Sequence, residues 1–199
     1  MHQATSLATT SILVLCSANQ CRSPMAEALL TRRLAASPTP AAVRSAGLLQ
    51  EGEAPPPEVI SALAAHGLDI SAHRSHRVTA ADLTAADLVL GMSREHVRHA
   101  VVTAPPTWPR AFTLKELVRR GEEAGPRPPG EPLAEWLARL NEGRDRVGLL
   151  GDSPADDVAD PMGGPPQAYA DTAALLDELM GRLAGLCWRL PTDRLPGER

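Results

Sequence analysis

Aromatic residues are scarce in this chain of 199 residues and make up 3% of it. Phe112 and Tyr169 are the single phenylalanine and the single tyrosine, so the core has to be built from leucine, valine, alanine and isoleucine. Hydrophobic residues nevertheless reach 43%, which argues against global disorder. A chain of this length is expected to form one domain.

Several other features are also missing from the sequence. The net charge is −4, which disfavours a nucleic-acid-binding function. No apolar run approaches the roughly 20 residues that a membrane-spanning helix needs, and residues 1–11 lack the charged-then-apolar plan of a signal peptide. Three cysteines are an odd and small number for a disulfide framework. We therefore predict a cytoplasmic protein that binds neither nucleic acid nor membrane.

The hydrophobic pattern predicts a single α/β domain. Buried strands are predicted at 11–15, 41–46, 86–92 and 110–114, and helices at 24–36, 58–66, 95–102, 115–124, 132–142 and 166–188. Strands that alternate with helices are typical of a parallel sheet flanked by helices. We divide the chain into a flexible N-terminal segment at 1–10, a domain at 11–188 and a C-terminal tail at 189–199.

The most informative stretch is Cys16-Ser17-Ala18-Asn19-Gln20-Cys21-Arg22-Ser23, which places a thiol and a guanidinium at the two ends of a short loop. A predicted strand leads into the loop, and Ser23-Pro24 suits the N-cap and first position of a helix. Such a loop gathers backbone N–H groups into a nest that favours a bound phosphate and a cysteine thiolate. The planar fork of Arg22 can bind two phosphate oxygens, and Asn19 tolerates a left-handed backbone. The pattern predicts that Cys16 attacks phosphorus.

A second catalytic element is needed because the leaving oxygen must take a proton. The segment 151–161 offers four carboxylic acids, at Asp152, Asp156, Asp157 and Asp160. Asp160 is the preferred candidate because Pro161 restricts the backbone that follows it and Gly163-Gly164 supplies a mobile loop. The alternative interpretation is a buried strand-end cysteine, a helix-capping arginine and an acidic surface turn. The strand before the loop and the helix start after it favour the phosphate loop.

The stretch from Cys16 to Glu27 closely resembles the active-site loop of the low-molecular-weight protein tyrosine phosphatases. Further similarities follow in the family's order, at Ser45-Ala46-Gly47, Gly67 to Ser75, Ala86 to Met92 and Asp160-Pro161. The resemblance spans about residues 11–187. It implies a four-stranded parallel sheet with helices on both faces, and a cysteine-dependent phosphomonoester hydrolase.

The resemblance also implies a role for each matching residue. Cys16 would form a phosphocysteine, Arg22 would stabilise the phosphoryl group, and Asp160 would protonate the leaving group and then activate water. The substrate would contact the loop residues Ser17, Ala18, Asn19, Gln20, Cys21 and Ser23. The loop would be braced through hydrogen bonds by Asn19, Ser23, Ser45 and His73. Cys21 matches a second loop cysteine that can form a reversible disulfide with the nucleophile.

The implied partners follow from the same resemblance. The substrate would be a phosphorylated protein or a small phosphomonoester, and a weak homodimer is compatible with the family. No metal and no cofactor would be needed for the reaction.

The chain departs from the family pattern around the expected pocket. Ala18 stands in place of the usual glycine, and Gln20 in place of a small apolar residue or of the threonine that marks protein-arginine phosphatases. The aromatic residues that often wall the pocket are absent after Ser45-Ala46-Gly47 and after Asp160-Pro161. An aryl phosphate prefers an aromatic wall, so the preference for tyrosine stays open.

Two further departures bear on the surroundings of the site. His76 occupies a position where the family often has arginine. The stretch 121–157 is longer than is typical, and we expect it to form a lid or a partner surface.

Two other functions remain compatible with the sequence. A non-catalytic phosphate-binding or regulatory module would explain Ala18, Gln20 and the depleted wall. Arsenate reductase chemistry needs resolving cysteines after the third strand, and none occurs between Cys21 and Cys187. Phosphatase chemistry is therefore the preferred interpretation.

Overall fold

A computed structural model describes residues 9–37, 39–49, 51–188 and 190. Its sheet has four parallel strands in the order β2-β1-β3-β4. The strands are β1 (Thr10–Cys16), β2 (Ala41–Gly47), β3 (Leu88–Gly91) and β4 (Ala111–Thr113). The central strand β1 is apolar on both faces, as expected when helices cover both sides of a parallel sheet. The predicted sheet is confirmed.

Seven α-helices and two short 3₁₀-helices (Pro105–Arg110 and Arg146–Leu149) occur in the part of the chain that the structure describes. The α-helices are α1 (Arg22–Leu34), α2 (Pro57–Ala64), α3 (Ala80–Ala85), α4 (Arg94–Thr103), α5 (Leu114–Ala124), α6 (Leu133–Asn141) and α7 (Pro166–Trp188). Ile12 and Val14 pack in the core under α1, α5 and α7, whereas Leu13 and Leu15 pack in the core under α3 and α4. This alternation follows from the two-residue period of a strand and confirms helices on both faces. None of these helices is long and apolar enough to cross a membrane.

The start of α1 differs from the prediction in one respect that matters for the site. The helix begins at Arg22, and Cys21 occupies the N-cap position without a capping side-chain hydrogen bond. The predicted role of Ser23 as N-cap is therefore wrong. Ser23 lies buried in the first helical turn, and its hydroxyl reaches back into the loop.

The structure describes only part of the predicted N-terminal segment at 1–10 and of the predicted C-terminal tail at 189–199. Thr10 already pairs with Ala41 as the first residue of β1. Residues 1–8 and 191–199 lie outside the described part of the chain, and Leu190 packs against the core.

The stretch 121–157 folds against the side of the domain near β4. Trp136, Leu137 and Leu140 on α6 are buried, which confirms that this apolar stripe faces the core. The side chain of Arg144 is buried as well; its guanidinium pairs with Glu116 and lies over two aromatic rings. The stretch is thus an integral part of the packing in the structure, and its C-terminal end leads directly to Asp160.

Candidate active site

The loop between β1 and α1 wraps around the sulfur of Cys16. The Asn19 backbone N–H donates to Cys16 Sγ at 3.2 Å, and Ser23 Oγ lies 3.0 Å from the same sulfur. Both contacts form because the loop folds back over the end of β1. Donors directed at a buried sulfur stabilise negative charge on it.

Asn19 determines the shape of the loop. Its φ of 53° lies in the left-handed region, which asparagine tolerates better than most residues. Its side-chain amide donates to Ser23 Oγ at 2.9 Å and to Ser45 Oγ at 2.8 Å, and its side-chain oxygen accepts from the His76 backbone N–H at 2.8 Å. Its carbonyl oxygen accepts from His73 Nε2 at 2.8 Å. The structure thus brings together the residues that the sequence predicted to brace the loop.

Gly47 allows the end of β2 to approach the loop closely. A Cβ atom at Gly47 would lie 2.8 Å from the Ala18 carbonyl carbon and 2.8 Å from the Asn19 nitrogen. The next backbone N–H groups, of Leu48 and Leu49, donate to the Ser17 carbonyl oxygen at 2.7 and 3.1 Å. No side chain larger than hydrogen fits at Gly47 without moving the loop.

The guanidinium of Arg22 is buried at the base of the loop. Nη1 donates to the Val158 carbonyl at 3.1 Å, and Nη2 donates to Ser17 Oγ at 3.2 Å and to Asp160 Oδ2 at 2.5 Å. Nε is buried and has no acceptor within the described residues. An unpaired buried donor costs free energy. The bidentate oxyanion that this fork suits would provide the missing acceptor.

Asp160 is the aspartate that the structure brings to the loop. It pairs with Arg22, while 42% of its side chain stays exposed. Its Oδ1 accepts from the Met162 backbone N–H at 3.2 Å. The hydroxyl of Tyr169 accepts from the Gly163 N–H at 3.1 Å and holds the turn that follows. Tyr169 itself is buried and packs in the core.

The preceding aspartates have structural contacts instead. Asp156 lies between Arg94 and Arg119, which pair with its two carboxylate oxygens. Burial works against the charged form of Asp156, but the hydrogen bonds from Arg119 and Arg94 outweigh it and lower the pKa of this carboxyl. Asp157 accepts from the backbone N–H groups of Arg94 and Ser153. Asp156 and Asp157 thereby anchor the segment that carries Asp160.

The remaining loop positions differ in exposure. Ser17, Ala18 and Gln20 are half-buried and form the rim, and Gln20 Nε2 donates to the Ala54 carbonyl at 3.2 Å. Cys21 is buried, and burial raises the pKa of its thiol to about 12. All three cysteines are unpaired. The disulfide between Cys16 and Cys21 stays a prediction.

His96 is a site residue that sequence reasoning missed. It is buried on α4, with Nε2 3.1 Å from Ser17 Oγ and Nδ1 2.8 Å from Ser93 Oγ. Burial, together with the positive charge of Arg22, lowers its pKa to about 3. His96 lies 79 positions from Ser17 in the chain, so no local pattern points to this contact.

The sequence and the fold both resemble those of known proteins. The sequence profile of the family described as low molecular weight phosphotyrosine protein phosphatase matches residues 11–125. A probable low molecular weight protein-tyrosine-phosphatase, EpsP, from Ralstonia solanacearum is 37% identical over 108 residues, which cover 54% of this chain and 72% of the relative. A protein-arginine-phosphatase from Geobacillus stearothermophilus is 30% identical over 174 residues, 87% of this chain and 93% of the relative.

Solved structures resemble the fold over most of the chain. The low molecular weight protein tyrosine phosphatase from T. tengcongensis is 30% identical with a TM-score of 0.66, covering 88% of this chain and 97% of that one. The YwlE arginine phosphatase from Geobacillus stearothermophilus is 29% identical with the same TM-score, covering 96% and 98%.

Proposed function

Because the chain belongs to the low-molecular-weight protein tyrosine phosphatase family and is a cysteine-based phosphatase, we propose that Cys16, Arg22 and Asp160 are its catalytic residues. The observation that carries this assignment is the contact between Arg22 Nη2 and Asp160 Oδ2. It brings a carboxyl group from residue 160 to the loop that holds the Cys16 sulfur. The nucleophile, the phosphate clamp and the acid then share one site.

In the first step the Cys16 thiolate attacks phosphorus. A sulfur–phosphorus bond forms while the bond from phosphorus to the leaving oxygen breaks, and Asp160 in its acid form donates a proton to that oxygen. Loop N–H groups and the Arg22 fork stabilise the charge on the three equatorial oxygens. The product of this step is a phosphocysteine and a free alcohol or phenol.

In the second step water hydrolyses the phosphocysteine. Asp160, now a carboxylate, takes a proton from the water as its oxygen attacks phosphorus. The sulfur–phosphorus bond breaks, phosphate leaves, and the Cys16 thiolate and the Asp160 acid are restored. The 42% exposure of the Asp160 side chain supports its access to this water.

Steady-state hydrolysis of an aryl phosphate in the presence of a metal chelator tests these assignments. We expect Cys16→Ser to abolish turnover, and Asp160→Asn to lower kcat by roughly 10²–10⁴-fold for a poor leaving group. Asp152→Asn is the matched control, because Asp152 lies on the same segment outside the site. Normal turnover by Cys16→Ser would contradict the proposal.

The substrate is a phosphorylated protein or a small phosphomonoester, and phosphotyrosine is the first candidate residue. Phosphoarginine is the second, because the protein-arginine-phosphatase relatives align over 87% of this chain, past Asp160. The relatives named as tyrosine phosphatases align over 47–58%. Gln20 argues against phosphoarginine, and the exposed aliphatic side chains of Leu49 and Met162 near the loop favour neither. Comparing kcat/KM for phosphotyrosine, phosphoserine and phosphoarginine peptides decides between them.

We place the protein in the cytoplasm on the strength of its cysteines. The three thiols are unpaired, which fits a reducing compartment.

Cys187 is buried in the last turn of α7, where burial raises the pKa of its thiol far above the ordinary value. A cysteine of this kind does not suit the resolving role in arsenate reduction.

A further inference from the structure

His96 is a buried residue on α4, and the two-step mechanism assigns no role to its imidazole. We propose that His96 is a positioning residue, which acts through Ser17 to hold the Arg22 guanidinium in the orientation that receives the phosphoryl group. The proposal rests on the catalytic roles assigned above to Cys16 and Arg22. It concerns a second support of the site, separate from the one centred on Asn19.

The support is a continuous chain of hydrogen bonds from α4 to the loop. Ser93 Oγ lies 2.8 Å from His96 Nδ1, His96 Nε2 lies 3.1 Å from Ser17 Oγ, and Ser17 Oγ lies 3.2 Å from Arg22 Nη2. Ser93 is the residue before α4 and His96 is in its first turn. A regular helix therefore fixes the imidazole, and β1 with α1 fix the two ends of the loop.

The direction of each hydrogen bond follows from what the groups can donate. A guanidinium only donates, so Ser17 Oγ accepts from Arg22 Nη2. The Ser17 hydroxyl keeps its hydrogen, and in the proposed arrangement it donates that hydrogen to the lone pair of His96 Nε2. Nδ1 then carries the imidazole hydrogen and donates to Ser93 Oγ. This arrangement requires a neutral His96.

The surroundings keep His96 neutral. Burial disfavours its charged form, and the positive charge of Arg22 adds to this effect, which lowers the pKa of His96 to about 3. Its two ring nitrogens face only the hydroxyls of Ser93 and Ser17 among the described residues. The imidazole is thus a fixed acceptor at any pH at which the thiolate chemistry runs.

A neutral hydrogen-bond acceptor at position 96 supports Arg22 without adding a charge next to the guanidinium. A carboxylate at this position would compete with the phosphate for Arg22, and a cation would repel the guanidinium. By occupying the Ser17 hydrogen, His96 keeps a Ser17 lone pair directed at Nη2. This uses one of the two Nη2 hydrogens, and the other pairs with Asp160 Oδ2 in this structure. The unpartnered Nε–H, and the second Nη2 hydrogen once Asp160 turns to the leaving oxygen, are the donors for phosphate oxygens.

The matched set of variants is His96→Phe, Ser17→Ala, their double mutant, and His99→Phe as the control on the same helix. Phenylalanine keeps a ring of similar shape and removes both nitrogens. The readouts are kcat and KM for an aryl phosphate, and inhibition by orthovanadate and by inorganic phosphate. Orthovanadate mimics the five-coordinate phosphorus of the transition state, whereas phosphate mimics the ground state.

Loss of one positioning hydrogen bond is expected to lower kcat about tenfold with little change in KM. Vanadate affinity should fall by a similar factor, while phosphate affinity stays within about twofold. A displaced arginine weakens binding of the transition state more than binding of the ground state. His96→Gln, whose amide oxygen can accept from Ser17, should restore most of kcat. The double mutant should be no worse than the more affected single mutant, because both substitutions break one chain.

The proposal is overturned if His96→Phe keeps kcat and vanadate affinity at the level of His99→Phe, or if the losses of the two single mutants multiply in the double mutant. Should His96→Phe fail to fold by circular dichroism, Ser17→Ala alone has to show the tenfold loss of kcat and of vanadate affinity. Failure of the proposed function looks different: the unmodified enzyme would then be inactive, or Cys16→Ser would keep its turnover.

Discussion

Asn19 has two roles in the loop: its backbone conformation shapes the loop, and its side chain holds the loop in place. Its left-handed φ turns the loop so that its own N–H points at the Cys16 sulfur, and its side chain ties the loop to Ser45 on β2 and to the backbone of His76. A residue that replaces it has to satisfy both demands. The two demands can be tested separately, because glycine meets the first and not the second.

We predict that Asn19→Ala loses more stability than Asn19→Gly. Alanine at a left-handed φ adds backbone strain of about 1 kcal/mol, whereas both substitutions remove the buried hydrogen bonds to Ser23, Ser45 and His76. Urea denaturation measures the difference between the variants, and kcat/KM should fall on the order of 10–100-fold in both. Equal stability of the two variants would show that the backbone conformation is unstrained or has relaxed.

At the same scale, local sequence was enough to predict the residues of the loop itself, whereas Ser45 and His73 were expected only through the family resemblance. Cys16, Asn19 and Arg22 lie on one loop, and a strand before it and a helix after it are enough to imply an anion site. The contact between Ser17 and His96 joins residues 79 positions apart, and no pattern in either segment encodes it. Ser23 lies in the predicted loop but has a different role, since the helix starts two residues earlier than the Ser-Pro signal indicates.

Among the elements, the short helix α3 shows how a small piece of structure supports the site from outside. Thr79 and Asp82 form a capping box at its N-terminus, and Asp82 also pairs with His76 at 3.0 Å. The helix has six residues, and Leu83 is its single buried side chain. Its hydrophobic periodicity is therefore too weak to predict a helix from the sequence. The pairing matters because the His76 backbone holds Asn19.

We predict that the His76 pairing stabilises the protein less as the pH rises. The hydrogen bond to Asp82 and the charges of Asp82 and Glu51 outweigh burial and raise the pKa of His76. A group whose pKa is raised in the folded state contributes fully below its unfolded value of about 6.5 and loses that contribution as the pH rises through the folded value. The melting temperature of the unmodified protein should therefore exceed that of His76→Gln most below about pH 6.5, and the difference should shrink as the pH rises through the raised pKa of His76.

The control for this prediction is the same substitution in Asp82→Asn, which removes the main partner of His76. The difference in melting temperature between Asp82→Asn and the Asp82→Asn, His76→Gln double variant should depend less on pH. A difference between the unmodified protein and His76→Gln that grows with rising pH would contradict the sign of the shift.

At the scale of the whole molecule, the long stretch 121–157 decides whether the chain behaves as one cooperative unit. It was predicted as a lid or a partner surface, and in the structure its helix α6 contributes buried side chains to the main core. Arg144 fastens it further, because its side chain is 2% exposed and its guanidinium pairs with Glu116. The sequence could not show this, because the buried ion pair joins residues 28 positions apart.

We predict that Arg144→Leu destabilises the entire domain. The substitution breaks the buried ion pair, and although Glu116 keeps Arg120 as a partner at 3.2 Å, the carbonyl oxygens of Trp108 and Ala111 lose their donor. We expect a cost of roughly 1–3 kcal/mol. Calorimetry should show one transition at a lower temperature, and the exposed Arg146→Leu is the matched control with little change. Two separate transitions in Arg144→Leu would show that the stretch unfolds on its own and is a detachable lid.

The central claim is that Cys16 carries the phosphoryl group between the two steps. Rapid mixing of Asp160→Asn with an aryl phosphate that has a good leaving group, followed by a quench in denaturant at neutral to alkaline pH and intact-protein mass spectrometry, tests it most directly. Such a leaving group departs without an acid, whereas hydrolysis of the intermediate still lacks its base, so the intermediate accumulates. The account predicts one phosphoryl group per chain, located on Cys16 and absent in Cys16→Ser. Steady turnover with no phosphorylated Cys16, or a phosphoryl group on another residue, would contradict it.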